Sequence, residues 1–142
     1  VIDVRLAVRS ILVSDSATSA LTNSGARIFP VRSPQGLRLP HVVYNMISER
    51  EDYKMSGSTG LVNAQMQVDS WADVAESSYS LARAVHDALS GFKGGVLPVS
   101  SNSPEETIEV RGIFLASGRE NFDTVVQMFR TSRDYFVWYA AR

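Results

Sequence analysis

Cysteine is missing from all 142 residues, which excludes disulfides and thiolate metal sites. Histidine is nearly missing as well. His41 and His86 are the two present, and neither has carboxylate or thiolate neighbours at the spacing of a zinc site. No apolar run approaches the roughly 18 residues that a membrane-crossing helix needs. The opening Val1-Ile2-Asp3-Val4-Arg5 lacks the charged-then-apolar layout of a signal peptide, and with no initiator methionine a few residues are expected to precede it. Charge of one sign is lacking too: the formal net charge is −1, so no global basic field draws the chain to nucleic acid. Arg27, Arg32 and Arg38 form a local basic cluster in a region rich in turn residues.

Catalytic constellations are equally thin. Serine is abundant, yet none stands in a G-x-S-x-G or S-x-x-K context at a strand-to-helix turn. Gly57/Gly60 and Gly94/Gly95 lack the layout and lysine-hydroxyl ending of a phosphate loop, and read as turns. Glu49, Glu51 and Asp52, or Glu105 and Glu106, are carboxylate clusters of the kind used in acid-base work. Solvated loops explain them more simply. His86, beside Val85 on a helix, reads as a flank residue with a structural role.

What is present is a soluble globular composition: 44% apolar and 20% charged residues, unlike a disordered tail. One domain of this length buries roughly 68–70% of its unfolded surface. The clearest signal runs from Gly57 to Gly91. The segment Gly57-Ser58-Thr59-Gly60 breaks regular structure. Strict alternation follows, with Val62, Ala64, Met66, Val68 and Ser70 on one face and Asn63, Gln65, Gln67 and Asp69 on the other. A period of two predicts a half-buried antiparallel strand whose polar face meets water, a partner or a lumen. The period then becomes 3.6, with Val74, Leu81, Val85 and Leu89 in one stripe. Asp73 and Glu76 have capping-box spacing, and Gly91 stands where a left-handed cap is wanted.

Around this unit, residues 3–13 predict a short helix capped by Asp3, and Asp15 caps a second over Ser16 to Leu21, closed by Asn23 or Gly25. Arg27-Ile28-Phe29 reads as a brief strand ended by Pro30, and residues 31–40 as turns. His41 to Arg50 is a strand, and Glu51 to Gly60 a polar loop that completes a long hairpin. Lys93 to Pro104 is a second loop. Two strands follow, Thr107 to Ala116 and Val125 to Tyr139, joined by a turn at Gly118 to Asn121. In the last strand Phe136 and Trp138 share one face with Val126 and Met128, while Tyr135, Val137 and Tyr139 share the other. A strand apolar on both faces needs cover on both, from helices or from another subunit. The predicted architecture is α+β: one domain, residues 1–142, with a mostly antiparallel sheet of four to five strands. A central helix over about 74–90 and short N-terminal helices pack on it.

Several landmarks fall in a recognisable order. They are Arg27-Ile28-Phe29-Pro30, Pro34-Gln35-Gly36, Leu39-Pro40-His41-Val42-Val43-Tyr44, Gly57-Ser58-Thr59-Gly60 and Gln65-Met66-Gln67-Val68-Asp69-Ser70-Trp71-Ala72. Ala88-Leu89, Gly91-Phe92 and Asp134-Tyr135-Phe136-Val137-Trp138-Tyr139 follow. In order and spacing the chain resembles the tail completion, or tail terminator, proteins of tailed bacteriophages. The resemblance implies a non-enzymatic structural protein with no cofactor, made in the bacterial cytoplasm and residing in the virion. Its implied form is a six-fold ring at the head-proximal end of the tail. Implied partners are other copies of itself, the tail tube protein and the head-tail connector or adaptor proteins, with DNA passing through the ring without specific binding and no membrane involved. Prophages and gene transfer agents use the same kind of protein. Candidate interface residues are Glu51, Asp52, Tyr53, Lys54 and Met55 in one loop, Lys93 in another, and Arg32 and Arg38. The alternatives are another neck or tail component, such as a head-completion adaptor or tube protein, and a small hydrolase.

Overall fold

Alternation of Val62, Ala64, Met66, Val68 and Ser70 makes the strand β3 (Gly57–Ala72), and all five side chains are buried on one face of the sheet. The computed structural model describes residues 4–22, 27–30, 40–96, 107–125 and 127–140. Within them β3 is one of six strands: β1 (Ile28–Pro30), β2 (His41–Lys54), β3, β4 (Gly94–Val96), β5 (Ile108–Asp123) and β6 (Met128–Ala140). They form one sheet in the order β1-β2-β3-β6-β5-β4. Only β1–β2 is parallel; every other pair is antiparallel. The sheet exceeds the expected four to five strands because β1 and β4 add short outer strands at its two edges.

Three helices cover one face: α1 (Val4–Ser14), α2 (Ser16–Leu21) and α3 (Ala75–Leu89). Val4, Ala7, Val8, Ile11 and Leu12 of α1 and Leu81, Val85 and Leu89 of α3 meet the buried sheet residues in one core. Each such side chain contributes roughly 1.5–3 kcal/mol by leaving water. A polar clasp also ties α3 down. Buried Ser78 Oγ donates to the Ser70 carbonyl at 2.9 Å and lies 2.9 Å from Thr131 Oγ1. Asp15 caps α2 as expected, accepting from the Thr18 amide at 2.9 Å and from its hydroxyl at 2.8 Å. Gly91, at φ +76°, takes the left-handed backbone expected after α3.

Other expectations are corrected. Asp73 and Glu76 do not form a capping box: Val74 occupies the N-cap position with no side-chain hydrogen bond, and its side chain is exposed rather than in the core stripe. The loop expected over Glu51 to Gly60 is strand. β2 and β3 run on to a tight turn at Met55 and Ser56, with Tyr53 opposite Ser58 and Lys54 opposite Gly57. Glycine at 57 and 60 does not break β3. It supplies positive φ of +130° and +81° where the hairpin turns and where a register shift falls between Glu51 and Tyr53. Side-chain bonds hold the arm in strand form. Glu51 accepts from Tyr53 and Ser58 hydroxyls, and Asp52 accepts from Thr59.

Gly118 to Asn121 is likewise strand and not a turn. β5 runs on to Asp123, and the turn into β6 falls after it, where Gln127 takes φ 57°. Phe122 faces Phe129 at that end, with ring centroids 4.7 Å apart. Within the second expected loop, Gly94–Val96 is strand, and residues 97–104 lie outside the described residues. So do Asp3, Asn23, Gly25 and Val126, together with the turn-rich stretch over 31–39. The two faces of β6 differ. Tyr135, Val137 and Tyr139 are in the core under the helices, whereas Phe136 remains exposed and Trp138 is half-buried on the other face.

Candidate interaction surfaces

The face away from the helices is assembled from cross-strand rows. One row is Ser48, Gln65, Phe136 and Phe114; the next is Arg50, Asn63, Trp138 and Gly112. A pocket of ≈ 340 Å³ opens there between Ser48, Arg50, Asn63, Gln65 and Phe136. Further along, Asn45, Gln67, Asp134 and Ser117 share a row. The carboxylates Asp69 and Asp134 on this face are held by neighbours. Asp69 accepts from the Gln67 amide at 2.9 and 3.1 Å. Asp134 accepts from the Ser117 hydroxyl at 3.2 Å and from Arg119 at 3.4 Å, both through Oδ2. Its other oxygen, Oδ1, is buried without a hydrogen-bond partner among the described residues, as are Asn63 Oδ1 and Ser132 Oγ. A buried acceptor left unpaired costs on the order of 1–3 kcal/mol, so the described residues leave this face incompletely satisfied.

The sheet edges are open over long stretches. β1 pairs only with Val42, Val43 and Tyr44 of β2, so the β2 backbone from Asn45 to Lys54 has no outer strand among the described residues. β4 pairs only with Ile108, Glu109 and Val110, and the Gly91 amide donates to the Ile113 carbonyl at 2.8 Å, which leaves β5 without an outer strand from Phe114 to Asp123 among the described residues. Leu115 and Phe122 of β5 and Ile47 and Tyr53 of β2 are exposed along these stretches. Soluble monomers ordinarily blunt such edges, because unpaired strand backbone recruits another strand. The two edges run antiparallel to each other, since three successive antiparallel pairings separate β2 from β5.

On the helix side, a cleft of ≈ 670 Å³ lies between α3 and the open half of β5, lined by residues that include Tyr79, Arg83, His86, Asp87, Glu120 and Arg133. Arg133 lies over the Tyr79 ring, 5.9 Å from its centroid. His86 Nδ1 is 3.1 Å from the Tyr135 hydroxyl, which gives that histidine a structural partner. Burial pushes the Tyr135 hydroxyl above its ordinary pKa; adjacent Arg133 pulls the other way and Asp87 adds to the rise. His41 is buried and stacked on Trp71. Among the described residues no three His, Asp or Glu side chains gather as a metal site, and no helix is long and apolar enough to cross a membrane.

Of the residues singled out beforehand, Glu51, Asp52, Tyr53 and Lys54 sit at the far end of β2 and Met55 in its turn, fully exposed. Lys93 lies between α3 and β4, away from that hairpin, and Arg32 and Arg38 fall outside the described residues. The open β5 edge and the surroundings of Asp134 escaped sequence reading. The polar run Arg119-Glu120-Asn121 after Gly118 looks like a turn, and only pairing with β6 makes it strand.

A two-layer α+β domain with one helix-covered sheet face, two open edges and no catalytic cluster among the described residues is the class that these features define. The family described as Tail completion protein gp17 matches residues 6–102, and the chain belongs to that family. It is a structural component of the virion tail. No curated protein matches the chain. Among solved structures, a chain from the virion of a native gene transfer agent particle shares the fold. Its TM-score is 0.69 at 17% identity, over 95% of this chain and 92% of the other.

Proposed function

We propose that six copies of this chain close into a ring that ends the tail tube and joins the tail to the head connector. The carrying observation is the pair of open, mutually antiparallel edges on opposite sides of one sheet. Rotation about an axis inclined to the strands, as in a closed barrel, keeps the sense in which each strand runs along that axis, so β2 of one copy meets β5 of the next antiparallel. The contact uses two different patches and repeats head to tail, which is the geometry that closes into a ring when the rotation returns on itself.

In such a ring the helices lie outward and the bare sheet face turns toward the bore. That face suits passage of DNA without capture: its carboxylates are engaged by Gln67, Ser117 and Arg119, and the neutral amides of Asn45, Asn63 and Gln65 stand among its aromatic side chains. A near-neutral chain avoids the counterion-release binding that a basic bore would create. The working mode is shape and self-association, with no covalent chemistry.

Electron microscopy of particles assembled without this protein tests the reading. Overlong tails without heads are expected. Tails of normal length joined to heads would overturn it. A copy number that scales with tail length, in place of one ring per tail, would assign the chain to the tube.

A further inference from the structure

We infer that neighbouring copies join in one register, with Glu49 of one copy opposite Gly118 of the next. This inference rests on the ring reading and specifies its contact. The antiparallel edges, laid alongside each other over their open lengths, bring Glu49 level with the segment around Gly118. Facing then selects the register. Glu49 lies opposite Ala64 and Gly118 opposite Arg133, so both belong to the helix-side face. Ser48 and Arg50 belong to the bare face, as do Arg119 and Ser117. Pairing Glu49 with Gly118 therefore puts Ser48 beside Arg119 and Arg50 beside Ser117, each on its own face.

This register forms an ion pair on each side of the sheet. On the helix side, Gly118 presents no side chain, and Arg133 lies directly alongside, its Cγ 3.4 Å from where a Cβ at 118 would stand. Glu49 of the neighbour is two strands from Arg133, roughly 10 Å between backbones, a gap that two long side chains span across a glycine. On the bare face, Arg50 of the neighbour reaches over small Ser117 to Asp134. The oxygen it meets is Oδ1, the buried acceptor with no hydrogen-bond partner among the described residues. Asp134 Oδ2 is already held by Ser117 and Arg119, and one added guanidinium satisfies the second oxygen. The cleft also holds Asp87 and Glu120, so its charge is mixed, and the glycine gap selects Arg133 as the partner of Glu49.

The chain has no cysteine, so an engineered pair reports contacts cleanly. The full chain carrying Ser48→Cys and Arg119→Cys is oxidised at increasing concentration, with each single variant as control. A ladder of covalent multimers ending in a closed species is expected from the double variant alone. Glu49→Arg, which leaves the fold intact because the side chain is exposed on the arm, should weaken association at least about tenfold. Adding Arg133→Glu in the same chain should recover most of that loss, read by light scattering. A ring of the right mass with neither ladder nor rescue overturns this register and leaves the ring standing. A protein that remains monomeric throughout and gives no ladder overturns both.

Discussion

Leu81 and Trp138 are both large and apolar, and the sequence alone offers no means of ranking them. Leu81 of α3 is fully buried in the core between helices and sheet, whereas Trp138 is half-buried on the face away from the helices. Leu81→Ala should cost about 2–5 kcal/mol in the isolated chain, while Trp138→Ala should cost well under the roughly 3–5 kcal/mol of a core tryptophan. Urea unfolding of both variants checks this; equal losses would place Trp138 in a core that these contacts do not contain. Tyr135 makes a pH prediction. Its pKa in the folded protein is raised above the ordinary 10.0, so the native state holds the proton more tightly than the unfolded chain. That contribution is complete below about pH 10 and is lost as pH rises through the folded value. Thermal unfolding should therefore show a decline above about pH 10 that Tyr135→Phe reduces, and identical profiles would reject the assignment.

At the scale of elements, the β2–β3 hairpin is the instructive case. Its first half is buried and its second half, from Ile47 on, stands exposed. Side chains beyond Glu51 bond only within the arm itself, through Tyr53, Ser58 and Thr59. Shortening the hairpin tip around Met55 should thus change stability by no more than about 0.5 kcal/mol, yet lower the yield of assembled particles. Thermal melts and particle counts measure the two effects separately; normal particle yield would remove the tip from assembly. The hairpin was legible in the sequence, but its polar end was mistaken for a loop. Alternating hydrophobicity marks strands that cover a core, and an arm outside the core has no such constraint. The same blindness hid the end of β5, where Arg119, Glu120 and Asn121 pair with Ser132, Thr131 and Arg130.

At the scale of the whole molecule, one copy leaves several demands unmet. Two strand edges lack partners among the described residues, an aromatic patch is partly open, and buried acceptors at Asn63 and Asp134 are unsatisfied. Each of these is costly for a solitary protein and unremarkable for a repeating subunit. Overlong, headless tails in particles lacking the protein, together with cross-linked multimers through Ser48 and Arg119, are the outcomes expected at this scale. The family match places the chain in the virion tail. Its edges supply the physical basis for the ring proposed above.

The amino-acid sequence by itself determined the helices, the central strand, the Asp15 cap, the Gly91 turn and the family. All of these depend on periodicity or on contacts between near neighbours, which a linear chain displays. Only the tertiary structure decided that β6 sits between β3 and β5, that one sheet face carries no helix among the described residues, and that Gly118 leaves Arg133 without a covering side chain between it and the outer side of β5. Those facts arise from pairings between residues far apart in the chain, and no local pattern encodes which distant strand will lie alongside.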